Sequence, residues 1–177
     1  IDGISKSFAA TGVRVGWAFG PQKIIDKMKS ILSHVGAWSP KAEQVATAKY
    51  LVNDVAIDKY LTSFKGEISQ RLTAFYKGMI ELKNQGFNVD AITPEAAIYL
   101  TVNFNLVGKK TADGKLLAST ADVTAYLLDE AKIAIVPFNA FGSSADSTWY
   151  RLSVGTAVLS EIDGLFVQLK AALSKLK

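Results

Sequence analysis

The sequence predicts an α/β or α+β protein. Helical and strand periodicities alternate along the chain, Gly and Pro fall between them, and no repeat or low-complexity stretch interrupts the pattern. At 177 residues, with 49% hydrophobic and 20% charged residues, the chain is long enough to bury a substantial core.

The elements follow in order. Residues 13–19 are apolar, β-branched and aromatic and end at Gly20-Pro21, as a strand stopped by a turn does. Pro21 then opens a helix in which Ile24, Ile25, Met28, Ile31, Leu32 and Val35 recur at helical spacing, with Gly36 placed to cap it. Ser39-Pro40 opens a second helix to about Val52, with Ala42, Val45, Ala46 and Leu51 expected to face inward. The longest pattern runs from Ile57 through Leu61, Phe64, Ile68, Leu72, Phe75 and Met79 to Leu82, and Gly86 ends it. Such a helix spans roughly 40 Å and is long enough to cross between domains. Phe at its apolar positions fits a coiled-coil seam poorly.

From Ile98 to Phe104 apolar residues alternate with Tyr99, Thr101 and Asn103, the period of a half-buried strand. Gly108 to Gly114 is a polar loop. Ser119 and Asp122 form a capping box for a helix through Ala131, and Ile133 to Val136 is a short buried strand ending at Pro137. Thr148 to Val154 is another strand, with Trp149, Arg151 and Ser153 on one face and Tyr150, Leu152 and Val154 on the other. Ser160 and Asp163 are placed to cap a final helix lined by Ile162, Leu165, Phe166, Leu169, Leu173 and Leu176.

Composition narrows the function. With no Cys there is no disulfide framework and no thiolate metal site, and the single His34 cannot form a His cluster. The net charge of +4 is spread over helical segments among Asp and Glu, so a nucleic-acid footprint is not expected. No apolar run approaches the ~18–20 residues that span a bilayer, so no membrane association is expected and a cytoplasmic protein is. The chain begins at Ile1 and enters a motif at once, which predicts a piece of a longer protein.

That motif carries the chemistry. Residues 3–16, Gly-Ile-Ser-Lys-Ser-Phe-Ala-Ala-Thr-Gly-Val-Arg-Val-Gly, put Lys6 and Arg14 among small residues that let backbone and ligand approach closely. A Lys near Ser and Gly is by itself an ordinary surface residue. The whole segment, however, resembles the lysine signature of class I/II aminotransferases, in which small residues flank the lysine and an Arg and a Gly follow at fixed distances. The resemblance continues through Gly20-Pro21, through residues 128–137 to Ala140-Phe141-Gly142, and into Tyr150-Arg151-Leu152-Ser153, so it covers nearly the whole chain. Gly3 stands where some relatives carry Ser, and Ala96-Ala97-Ile98-Tyr99 stands where relatives often have Gly-Ala-Phe-Tyr.

The resemblance implies a fold-type-I enzyme with pyridoxal 5'-phosphate as cofactor. Its aldehyde needs one nucleophilic amine. Lys6 matches the family's lysine, which anchors the cofactor and, once freed, carries the proton in transamination. Arg14 matches the phosphate-binding arginine, whose planar fork suits a phosphate dianion. Ser5 adds a hydroxyl to the same cup. Arg151 matches the arginine that grips the substrate α-carboxylate. His34 lies in a segment that in dimeric relatives approaches the neighbouring subunit's site, and its plain reading is a helix C-terminal residue favoured by the dipole.

The resemblance further implies amino-acid and 2-oxo-acid substrates, aspartate or a related amino acid among them, and a homodimer. Residues 1–52 would finish the large domain, 53–86 would form an interdomain helix, and 87–177 would form a small α/β domain. The family's partners for the pyridine ring lie upstream of the lysine, so the chain alone is expected to be inactive. A β-lyase or synthase of the same fold would share Lys6, Arg14 and Arg151. An aminotransferase-like sensor domain of a transcription regulator would follow a DNA-binding segment instead.

Overall fold

A computed structural model describes residues 1–177, which divide into two compact units, Ile1–Phe64 and Lys65–Lys177. In the first, β1 (Asp2–Gly3) pairs antiparallel with β2 (Gly16–Trp17), Gly3 opposite Gly16. The two backbones run close enough that a Cβ on Gly3 would lie 3.1 Å from the Val15 carbonyl, and one on Gly16 3.0 Å from that of Asp2. Glycine is therefore what lets the strands meet. The strand expected over 13–19 shrinks to two residues. Thr11–Val13 is a 3-10 turn and Arg14 has a φ of 59°, a left-handed conformation that cannot continue a pleated strand.

Between these strands stands α1 (Ile4–Ser7), a single turn fixed by the buried Ile4. Helix α2 (Gln22–Val35) follows Pro21 and ends as predicted, with Gly36 at a φ of 70° and its N–H donating to Leu32 O at 2.9 Å. Helix α3 (Lys41–Tyr50) forms where expected, but its inward face does not. Thr47 is its buried residue, Val45 is 42% exposed, Ala42 and Ala46 are exposed, and Leu51 is half-buried. The reason is the absence of a covering element: α2 itself buries no residue, so helical apolar spacing has no core to face here. Aromatic contacts also join parts of this unit. Phe8 packs edge-on to Tyr50 at 5.5 Å and against Tyr60 at 6.0 Å, and the Tyr60 hydroxyl donates to Phe8 O at 2.9 Å.

Helix α4 (Asp54–Asn84) is the long helix read from the sequence, and the division between units falls within it. In the second unit its buried stripe is Ile68, Leu72, Phe75, Met79 and Leu82. The sheet there is antiparallel throughout, in the order β3 (Val89–Ala91), β4 (Tyr99–Phe104), β6 (Trp149–Ser153) and β5 (Val136–Pro137). Thr101 and Val136 both stand opposite Arg151, and Val102 stands opposite Tyr150. Alternation sorts the faces as predicted: Leu100, Val102, Phe104, Tyr150, Leu152 and Val154 are buried, while Tyr99, Thr101, Asn103, Trp149 and Arg151 are half-buried.

Two expectations in this unit need correction. Of Ile133 to Val136 only Val136 joins the sheet, with Pro137 after it. Ile133 and Ile135 are buried without pairing, and Pro137, lacking an N–H, suits the edge position it takes. Helix α5 (Thr120–Ala131) does have the predicted cap, Ser119 Oγ accepting from Asp122 N–H at 3.2 Å. Helix α6 (Ile162–Ser174) does not: Leu159–Glu161 forms a 3-10 turn that absorbs Ser160, and Glu161 precedes the helix without a side-chain cap. Tyr126 on α5 donates its hydroxyl to Ala172 O on α6 at 2.7 Å, and Gly78 on α4 leaves room for Phe166, since a Cβ there would lie 2.5 Å from Phe166 Cζ.

Candidate functional site

The Gly3–Gly16 pairing closes the base of an excursion formed by residues 4–15, and this excursion carries Ser5, Lys6 and Arg14 together. Ile4 N–H donates to Val15 O at 3.4 Å, which ties the lysine turn to the residue after the arginine. Lys6 lies in the last turn of α1 and is exposed, and Ser5 beside it is half-buried. Arg14 is exposed, and its Nη1 donates to Thr11 O at 2.8 Å, its one side-chain hydrogen bond in the chain.

A left-handed conformation at a non-glycine residue costs roughly 1–2 kcal/mol. Arg14 adopts one, as does Ala9 at a φ of 50°, so the excursion is held in a shape that extended chain would not choose. No Asp or Glu occurs between Ile4 and Val15, and neither Lys6 nor Arg14 takes part in an ion pair. The excursion thus offers one primary amine, one guanidinium and a hydroxyl with no compensating acid. That donor set fits a cofactor carrying both a carbonyl and a phosphate.

Arg151 stands in the second unit, half-buried on β6. Its Cζ lies 4.5 Å from the ring centroid of Tyr99 and 4.5 Å from that of Phe141. Phe141 belongs to the 3-10 turn Phe138–Phe141 that follows β5. Neither aromatic was given a role from the sequence. Tyr99 sits at the strand period that leads to Thr101 opposite Arg151, a signal readable only once β4 and β6 are known to pair. Beside Arg151, the buried Tyr150 hydroxyl has no hydrogen-bond partner, and burial pushes its pKa up to about 12. His34 is in the last turn of α2 and exposed.

Comparison with known proteins identifies the family and the fold. The family model described as aminotransferase class I and II matches residues 1–162. The aspartate aminotransferase of Rhizobium meliloti strain 1021 is 29% identical over 177 residues, covering 99% of this chain and 40% of that protein. That of Geobacillus stearothermophilus is 31% identical over 163 residues, covering 89% and 37%. Among solved structures, the aspartate aminotransferase from Rhizobium meliloti superposes with a TM-score of 0.79 at 29% identity, covering 99% of this chain and 41% of that one. The aromatic aminotransferase from Pyrococcus horikoshii OT3 does so at 0.80 and 24% identity, covering 97% and 42%, and shows likeness of fold. The chain spans about two-fifths of the length of the relatives it matches.

Proposed function

Because the chain belongs to the aminotransferase class I and II family and shares its α/β fold, we propose that it is the C-terminal part of a pyridoxal-phosphate-dependent aminotransferase, moving an amino group between an amino acid and a 2-oxo acid. The observation that carries this reading is the acid-free excursion bearing Lys6 and Arg14. The relatives named aspartate aminotransferase favour aspartate or a related amino acid as substrate. On this reading residues 1–52 end the cofactor domain, 53–86 form the helix between domains, 87–177 form the small domain, and the whole protein is a homodimer.

Pyridoxal phosphate, when bound, supplies a carbonyl that captures amines and a ring that accepts electron density. Lys6 would hold it covalently, and its amine, once freed, would serve as the base that takes the proton from the substrate α-carbon and delivers it to the cofactor's former carbonyl carbon within the same half-reaction. Arg14 answers the phosphate charge with a planar donor pair, and Ser5 adds a hydroxyl. Arg151 receives the substrate carboxylate along its N–H edge. The chain by itself, without the residues that would contact the pyridine ring, does not turn over.

The test is a panel of amino acids given to the complete protein, scored for amination of a 2-oxo acid against release of ammonia or thiol; release without amination would replace this reading with a lyase. In the same protein Arg151→Lys is expected to weaken amino-acid binding by roughly 1.5–3 kcal/mol, the worth of one charged hydrogen bond, while cofactor binding stays unchanged. Equal losses of both would contradict the role given to Arg151.

A further inference from the structure

Arg151 is flanked by two aromatic rings and by no hydrogen-bond acceptor of the chain. None of its guanidinium donors bonds to another group of the chain, and it joins no ion pair, yet two ring centroids lie 4.5 Å from its Cζ, well inside cation–π range. The rings approach from both flanks of its strand. Tyr99 comes from β4, one neighbour of β6, and Phe141 from the turn that continues β5, the other neighbour. A ring face attracts the cation through its quadrupole without supplying an oxygen acceptor, so these contacts leave the guanidinium without a hydrogen-bonded partner in the chain.

We propose that Tyr99 and Phe141 are positioning residues for Arg151, which fix the guanidinium plane so that it selects a planar carboxylate over other anions. This rests on the reading of Arg151 as a carboxylate receptor. An arginine on a free stem must give up rotamer freedom when it binds, whereas one already clamped gives up less. Held in this way, the guanidinium would present its edge, where a carboxylate gains two parallel bonds and a spherical anion gains no such pair. Phe141, at 53% exposure, contributes to this clamp with little share in the core.

The experiment uses the full chain labelled at arginine, with Arg151→Lys identifying the Arg151 side-chain signals, and sodium acetate titrated against equal sodium chloride. In the unsubstituted chain the Arg151 δ-protons are expected upfield of the other arginines through the ring currents, and the Nε–H signal is expected to saturate with acetate but not with chloride. Phe141→Leu and Tyr99→Leu should each move the δ-protons back and weaken acetate binding by about three-fold, while Tyr99→Phe should keep both. Phe141→Leu is the arm least dependent on folding. If the ring-current shift disappears and acetate affinity is unchanged, the rings touch Arg151 without positioning it and the proposal is overturned alone. If the unsubstituted chain shows no acetate response, the carboxylate-receptor reading fails, and the positioning role fails with it.

Discussion

Units Ile1–Phe64 and Lys65–Lys177 carry amphipathic helices of equal clarity in sequence but differ in what those helices bury. In the second unit the apolar stripes of α4, α5 and α6 end in a core that includes Phe104, Leu127, Tyr150 and Leu169. In the first, Ile31 is 61% exposed and Val35 70% exposed on the same kind of stripe, and Ile4, Val15 and Thr47 are its buried residues. Periodicity therefore tells which face of a helix is made for burial, and says nothing of whether the covering partner lies in the same stretch of chain.

The sharpest way to break this comparison is a matched pair of truncations. Leu127→Ala removes a fully buried side chain and is expected to cost about 2–5 kcal/mol in urea unfolding, whereas Ile31→Ala should lie within about 0.5 kcal/mol of the parent. Comparable losses at the two sites would mean that α2 is buried after all.

A second contrast concerns the alkaline limb. Burial favours the protonated Tyr150 hydroxyl in the folded state, with a pKa of about 12, against about 10 for an unfolded tyrosine. This contribution is intact below pH about 10 and is lost as pH rises to about 12, on the order of 2 kcal/mol over the window. Tyr150→Phe should flatten that fall for the second unit. At neutral pH it should leave stability unchanged or raise it by up to about 1 kcal/mol, because the hydroxyl it removes has no partner. Destabilisation at neutral pH would point to a bond that the hydroxyl makes.

The smallest effect separates the helix starts. Ser119→Ala should cost about 1 kcal/mol because its Oγ accepts from Asp122 N–H, and Ser39→Ala should cost almost nothing because α3 has no side-chain cap. Thermal melts of the two variants check both. Equal shifts would remove the distinction.

Which features could be read beforehand follows from how local they are. The Ser119 cap, the Gly36 stop and the alternation of β4 and β6 depend on neighbours a few residues away, and each was legible. Ser160 had the same residue pattern as Ser119 and was misread, since a 3-10 turn displaced the helix start. Strand β3, at three residues, is too short to show a period. The candidate site divides likewise. Lys6, Ser5 and Arg14 are proposed from a resemblance carried by one short segment, whereas the rings over Arg151 come from residues 52 positions upstream and 10 upstream, joined to it by sheet pairing that no local pattern displays.

The central claim is that Lys6 anchors the cofactor, and the most direct measurement is chemical. The complete protein is incubated with pyridoxal phosphate, reduced with borohydride, digested and mapped by mass spectrometry. The account predicts the pyridoxyl group on the peptide containing Lys6, and a Lys6→Ala variant without it. A pyridoxyl group found on another lysine, with Lys6 unlabelled, would contradict it.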